Sequence, residues 1–306
     1  MKEVTVLCPA TVANLVCGFD VLGMCLKAPY DEMKVRLLNE RRIAIHSADG
    51  YPLPEQPELN TAGAPLLEML NELDGDIGFD VTIKKNIKPG SGLGSSAASA
   101  AGAVIAANIL LNNQFPKADL IRFALFGEKV ASGVKHADNI APCIYGGITL
   151  IRSIFPLDII PLDSPPLYVT LVHPQIEVKT ADARQILRKE ILLKNAIKQW
   201  GNIAGLVAGF LKSDYELIGR SLEDVIIEPV RSILIPGFED VKRRCKEAGA
   251  LGGGISGSGP SIFMLSKDEA TACELQKILI GIYTQLHIEY KTYVTTLNYS
   301  GVCIAE

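Results

Sequence analysis

Residues 89–99, Pro89-Gly90-Ser91-Gly92-Leu93-Gly94-Ser95-Ser96-Ala97-Ala98-Ser99, place three glycines on alternate positions ahead of two serines and an Ala-rich run. Glycine frees the backbone to turn its N–H groups inward, and hydroxyls at a helix start sit where the helix dipole is positive. The spacing therefore predicts a cradle for phosphate groups. Ala97, Ala98, Ala100, Ala101 and Ala103 would let the helix behind the loop pack closely and hold its start rigid. A flexible turn before a small-residue helix is the alternative.

Two familiar phosphate-binding patterns do not account for this loop. A P-loop closes with Gly-Lys-Ser/Thr, and the chain contains no Gly-Lys dipeptide. A GxGxxG pattern occurs at Gly252-Gly253-Gly254-Ile255-Ser256-Gly257, but Pro260 and a strand-like run follow where a helix should begin, so this match is expected to be accidental. His46, His173 and His287 lack metal-ligand spacing and read as structural, and no GxSxG elbow suggests a serine hydrolase.

The elements that must position the loop follow from periodicity. Val4–Leu7, Val21–Leu26, Met33–Leu38 and Ile43–Ile45 read as strands, and Thr61–Leu73 as a short helix ending before Gly75. Phe79–Ile83 alternates like a strand, so the order around the loop is strand, turn, buried helix to about Leu111. A second long helix is expected over Pro116–Ser132, and a strand over Ile148–Ile151. The four prolines within Phe155–Pro166 suggest a hinge, dividing the chain into domains 1–155 and 156–306. Beyond it lie a strand at Leu167–Val172, helical sequence from Ala181 to Leu222, a helix at Phe238–Ala248, then strand, Gly-rich turn, strand, helix and strand to Thr295. That pattern predicts an α+β half with helices stacked on an antiparallel sheet.

Composition bounds the partners. Of the 306 residues 48% are hydrophobic and 21% charged, which suits a globular chain and excludes a disordered or fibrous one. Thirty Lys and Arg against 34 Asp and Glu give a net charge of −4, so no electrostatic pull toward nucleic acid is expected. The seven cysteines form no CxxC pair and are odd in number, which reads as free thiols in a reducing compartment. The chain enters strand-like sequence at once, and its longest apolar run, Ala97–Leu111, is broken by Ser99 and Asn108. A cytoplasmic protein with no membrane span is therefore expected.

Three segments together resemble the galactokinase, homoserine kinase, mevalonate kinase and phosphomevalonate kinase (GHMP) superfamily of small-molecule kinases. They are Pro9-Ala10-Thr11-Val12-Ala13-Asn14-Leu15-Val16-Cys17-Gly18-Phe19-Asp20-Val21-Leu22-Gly23, the loop at 89–99, and Gly253-Gly254-Ile255-Ser256-Gly257-Ser258-Gly259-Pro260-Ser261. The first of these and Lys135-His136-Ala137-Asp138-Asn139-Ile140-Ala141-Pro142 look like the homoserine kinase branch. One departure stands out: that branch usually has glycine where this chain has Val16. A positive φ at that position would be held by valine only with strain.

The resemblance implies a two-domain α+β fold with the active site between a ribosomal-protein-S5-like N-terminal domain and a ferredoxin-like α/β-plait C-terminal domain. It also implies ATP and Mg²⁺ as cofactors, ADP as product, L-homoserine as acceptor on the route to threonine, and a homodimer. Pro89 to Ser99 would bind the nucleotide, and Ser96 with Glu128 would hold the metal. From position alone, Glu128 could equally be a solvated helix residue paired with Lys129 or Lys135.

Arg184 and Arg231 match the family's carboxylate binders, Thr180 belongs to the same substrate set, and Asp20 would attract the ammonium. Asn14, His136 and Asn139 would orient the hydroxyl and so complete both the substrate and the catalytic sets. On their own, Arg184 could be a surface residue, and Asn14 and Asp20 could simply shape a turn. The aspartate that serves mevalonate kinase and galactokinase as base falls here on Asn139, which implies direct transfer to phosphate oxygen, with His136 as the alternative base.

Overall fold

The computed structural model describes residues 2–178 and 180–305; the side chains of residues 180–182 lie outside that description. Four segments open the chain: β1 (Glu3–Ala13), β2 (Leu22–Leu38), β3 (Ile43–Ser47) and a helix α1 (Gly63–Leu70). The two strands expected at 21–26 and 33–38 are one strand, β2. Its buried residues alternate beyond Tyr30 and are continuous from Leu22 to Leu26, where both faces are covered. Next come β4 (Gly78–Lys84), α2 (Ser95–Leu110), α3 (Lys117–Ser132), α4 (Ile140–Tyr145) and the hairpin β5 (Ile148–Ile154) with β6 (Leu157–Leu162).

The second half contains β7 (Tyr168–Pro174), α5 (Thr180–Gln185), α6 (Leu193–Lys212), α7 (Tyr215–Ser221), α8 (Glu228–Arg231) and α9 (Phe238–Glu247). It ends in β8 (Gly252–Ile255), β9 (Ile262–Ser266), α10 (Glu269–Gln285), β10 (Tyr290–Thr296) and β11 (Cys303–Ile304).

Two sheets organise these elements. The first has seven strands in the order β11-β1-β2-β4-β3, with β5 also paired to β2 and β6 to β5. The expected break at 155/156 falls in the turn of the β5–β6 hairpin. The chain leaves the first sheet only after Leu162, and it returns there at its end with β11. The second sheet, β10-β7-β9-β8, is antiparallel throughout, as the alternation in the second half predicts.

Along β9, Ile262 and Met264 face a core with Phe238, Val241, Leu279 and Tyr283 from α9 and α10. Phe263 and Leu265 face Leu206, Phe210 and Ile218 from α6 and α7, in a core continuous with that of the first sheet. Most of α2 is buried, since its small residues let it lie close on β1 and β2: a Cβ on Gly102 would stand 2.3 Å from Cys8 Sγ. This rigid helix presents the glycine loop to the space between the two sheets.

Candidate functional site

Burial alternates through the loop. Ser91, Leu93, Ser95 and Ala97 are buried while Gly92, Gly94 and Ser96 are accessible, so one face of the loop is open and the other is packed. Gly92 and Gly94 hold φ of 79° and 67°, which glycine adopts without strain. Of the two serines at the helix start, Ser95 sends its hydroxyl back to Ile87 O at 2.8 Å, so Ser96 alone faces the cleft. Ser99, buried, bonds Ser95 O at 3.3 Å and supports the loop from behind, with Ala97 and Ala98.

Under the loop lies an ion pair that sequence reading missed. Lys85 and Asp31 are paired with side chains 3% and 1% exposed, and Lys85 Nζ also donates to Ser95 O and Ser99 Oγ, each at 3.1 Å. Asp31 Oδ1 accepts from the N–H groups of Asn86 and Ile87, both at 2.7 Å. Burial raises the Asp31 carboxyl and Lys85 opposes that shift. A lysine 54 residues from its partner, in a segment that reads as polar loop, gives no signal in sequence.

Glu128, near the end of α3, turns inward toward α2. Its Oε2 accepts from Ser96 Oγ at 3.4 Å, and burial pushes its carboxyl up to about 7. Of the two lysines, Lys129 and Lys135, that a solvated glutamate could pair with, Lys135 instead lies over the Phe126 ring, 3.5 Å from its centroid. A half-buried carboxylate beside a hydroxyl is a pair of hard oxygen donors of the kind a divalent ion takes. Mg²⁺ needs only a few protein ligands and takes the others from phosphate and water. The residues therefore fit Mg²⁺.

Arg184 and Asp20 meet directly: Arg184 Nη2 donates to Asp20 Oδ1 at 3.0 Å and Nη1 to Oδ2 at 3.3 Å. His136 Nε2 lies 3.7 Å from Asp20 Oδ2. Burial holds the His136 imidazole below its usual range, with Asp20 raising it and Arg184 lowering it. Arg231, 3% exposed, donates from Nε to Ala183 O at 2.9 Å and from Nη1 to Gly257 O at 3.2 Å, tying α8 to α5 and to the β8–β9 turn. Burial, then the neighbouring Arg184, lowers its pKa to about 10.

Phe19, which sequence reading did not single out, puts its ring 4.9 Å from the Arg231 guanidinium and 5.5 Å from that of Arg184, giving both arginines one platform. The side chain of Thr180 lies outside the described residues.

Asn14 spends both ends of its amide inside the protein. Nδ2 donates to Gly257 O at 2.9 Å, and Oδ1 accepts from the Asp20 N–H at 3.0 Å. It thus shapes the turn and sets Asp20 at once. Asn139 sits just before α4 and faces the loop, its Oδ1 accepting from Thr11 Oγ1 at 2.7 Å and lying 3.0 Å from where a Cβ on Gly94 would be. The amide's remaining function is donation from Nδ2. Asp138 beside it is buried, and its carboxyl is pushed up to about 7 by burial, then by the charges of Asp20 and Glu128.

The third glycine-rich segment is a hairpin turn, not a dinucleotide fingerprint: β8 passes through it into β9. It also touches the site. Ser256 Oγ donates to Gly92 O at 2.7 Å, and the Ser261 N–H donates to Ser91 O at 3.2 Å. A Cβ on Gly92 would stand 2.5 Å from Ser256 O, so glycine is required there for the two loops to meet. Gln199 on α6, 5% exposed, is a further residue that sequence reading missed. Its Nε2 donates to Cys17 O at 2.8 Å and its Oε1 accepts from the Val225 N–H at 3.1 Å, joining the turn that holds Asp20 to the segment that leads into Arg231.

Residues 60–147 match the family described as GHMP kinases N terminal domain, and residues 206–281 match GHMP kinases C terminal. A homoserine kinase of Chloroherpeton thalassium is 50% identical over 292 residues, 91% of this chain and 92% of that protein. One from Methanococcus maripaludis is 41% identical over 273 residues, 88% of this chain and 89% of that protein. The crystal structure of homoserine kinase from Cytophaga hutchinsonii superposes with a TM-score of 0.95 at 46% identity, covering 100% of this chain and 98% of that one.

Proposed function

The chain belongs to the GHMP kinases, among the homoserine kinases of that family, and we propose that the cleft between its two sheets holds ATP on the glycine loop and L-homoserine on the Asp20–Arg184–Arg231 cluster. The enzyme is an ATP-dependent kinase that phosphorylates the homoserine hydroxyl, giving O-phospho-L-homoserine and ADP, on the route to threonine. One observation carries the assignment of residues: the β8–β9 turn bonds the glycine loop through Ser256 Oγ to Gly92 O at 2.7 Å and the amino-acid cluster through Gly257 O, which accepts from Asn14 Nδ2 at 2.9 Å and Arg231 Nη1 at 3.2 Å, so loop and cluster border one cleft.

The accessible face of the loop, with Gly90, Gly92, Gly94 and the Ser96 hydroxyl, takes the phosphates. Ser96 and Glu128 hold the Mg²⁺ ion, which when bound neutralises phosphate charge. Without substrate, Arg184 and Asp20 neutralise one another. A zwitterion exchanges that pairing one for one, carboxylate to Arg184 and Arg231, ammonium to Asp20. Asn14 then acts by positioning Asp20, while His136 and Asn139 orient the acceptor hydroxyl. No aspartate stands where Asn139 does, so alignment and charge neutralisation lower the barrier, and the hydroxyl proton passes to a phosphate oxygen as the new P–O bond forms.

Mg²⁺-dependent ADP formation with L-homoserine, set beside mevalonate, galactose and shikimate, tests the reading; turnover with another acceptor only would overturn the roles given to Asp20, Arg184 and Arg231. Arg184→Ala is expected to weaken homoserine binding by about 1.5–3 kcal/mol, the worth of a hydrogen bond to a charged group, with the KM for ATP unchanged. An equal loss for ATP would remove Arg184 from the acceptor site.

The pH profile separates direct transfer from a histidine base. Since burial lowers the His136 pKa, a His136 base would give an acidic limb below pH 6.5 that His136→Asn abolishes. Direct transfer predicts that kcat of the two proteins shares one profile there. The homodimer belongs to the same proposal, and Leu193, Ile197 and Trp200, exposed along one side of α6, are an apolar stripe that a second copy would cover. Light scattering of wild type and Trp200→Glu checks it, since a monomeric wild type would refute the dimer.

A further inference from the structure

The turn after β1 holds three successive non-glycine residues in the left-handed region: Asn14 at φ 74°, Leu15 at 40° and Val16 at 68°. Asparagine tolerates this conformation because its short side chain bonds locally, whereas a β-branched residue there is an outlier whose Cβ crowds the backbone. The bonds that fix the turn do not involve the Val16 side chain. The Asn14 N–H donates to Leu22 O and the Gly18 N–H to Asn14 O, each at 2.7 Å, while Gln199 Nε2 donates to Cys17 O at 2.8 Å. Glycine at position 16 would allow all of these without strain. What valine adds is its side chain.

That side chain is 4% exposed and faces β8, where a Cβ on Gly254 would stand 3.3 Å from Val16 Cγ2. With Phe19, Ile227 and Ile255 it forms the apolar wall of a cavity of about 10 Å³ whose polar wall includes Glu228 and Arg231. Such a volume is about that of one water probe. Glu228 is 8% exposed; its Oε1 pairs with Lys242, while its Oε2 has no hydrogen-bond partner among the described residues, so the recess behind Arg231 has one unbonded carboxylate oxygen in its wall and almost no room. The valine methyl groups are part of the wall that bounds it.

We infer that Val16 is a specificity-determining residue that sets acceptor length. By filling the recess behind Arg231, it denies a hydroxy amino acid one methylene longer than homoserine the depth needed to seat its carboxylate on Arg231 while its hydroxyl stays at the transfer point. This rests on the homoserine kinase reading above. A single methylene in a well-packed pocket changes kcat/KM by roughly 10–200-fold, so the effect is measurable.

The test compares kcat/KM for L-homoserine and for 5-hydroxy-L-norvaline, its one-carbon homologue, in the full chain and in Val16→Gly, Val16→Ala and Val16→Thr. The homoserine preference is expected to fall at least about tenfold in the Gly and Ala variants and to persist in the Thr variant, which keeps the branched shape, with the KM for ATP constant throughout. If Val16→Ala folds poorly because it keeps the strain and loses the packing, Val16→Gly, which has no strain, decides. A preference within twofold of wild type in Val16→Gly overturns the inference alone. A wild type inactive with homoserine overturns the kinase reading and this inference together.

Discussion

Glu128→Gln is expected to lower kcat with homoserine by about 100-fold or more, the scale on which losing one preorganised charge-stabilising group is felt in phosphoryl and acyl transfer. Glutamine keeps the shape and one oxygen of glutamate, so the contact to Ser96 at 3.4 Å can persist and only the charge is lost. The charge matters because burial pushes the Glu128 carboxyl up to about 7, so the anion is less favoured there than in water. A cation beside it reverses that balance and favours the ionised form. The variant should therefore need much more Mg²⁺ for half-maximal activity, while the KM for homoserine changes little. Steady-state rates measured across a Mg²⁺ series check this, and normal turnover at limiting Mg²⁺ would take Glu128 out of the metal site.

The contrast between Glu128 and its supporting residues explains what could be read from sequence. The glycine loop was legible because alternate glycines ahead of serines have few other uses, and α2 behind it was legible from its run of small residues. Which serine faces the cleft was legible only through resemblance, which picks Ser96, since Ser95 and Ser96 are chemically alike and it is the fold that sends Ser95 to Ile87 O. Likewise β2 read as two strands because the middle of the segment, around Pro29 and Tyr30, interrupts the pattern, and pairing with β1 on both sides of that stretch, through a register shift between Pro9 and Thr11, carries the strand across. The helical stretch expected over 181–222 is three helices, α5, α6 and α7, with α7 capped by Asp214, which accepts from the Leu217 N–H at 2.9 Å. Arg184, Arg231 and Asp20 could be named only through resemblance. They lie on separate elements, and long-range contacts such as those of Gln199 bring them together.

Lys85→Met should be the most damaging single change to stability, at about 3–5 kcal/mol, because it leaves Asp31 buried without its counter-charge. Methionine fills similar volume, so the effect isolates charge from packing. Asp31 keeps its two backbone N–H donors, yet burial already raises its carboxyl with Lys85 in place, and without Lys85 the rise is larger. The sign follows from linkage. A carboxyl whose folded pKa lies above its unfolded value supports the fold while protonated, and that support is lost as pH rises through the folded pKa. The deficit of Lys85→Met relative to wild type should accordingly be smaller at pH 5 than at pH 8, and Asp31→Asn added to it should restore part of the loss.

The same change removes the donor to Ser95 O and Ser99 Oγ, the two contacts through which the pair steadies the start of α2. The KM for ATP should then rise with little change in that for homoserine. Denaturant melts at the two pH values, with the double variant beside the single ones, measure the coupling directly. Equal deficits at pH 5 and pH 8 would mean that Asp31 stays ionised without Lys85, and the pair would then be steadying the loop through packing rather than charge.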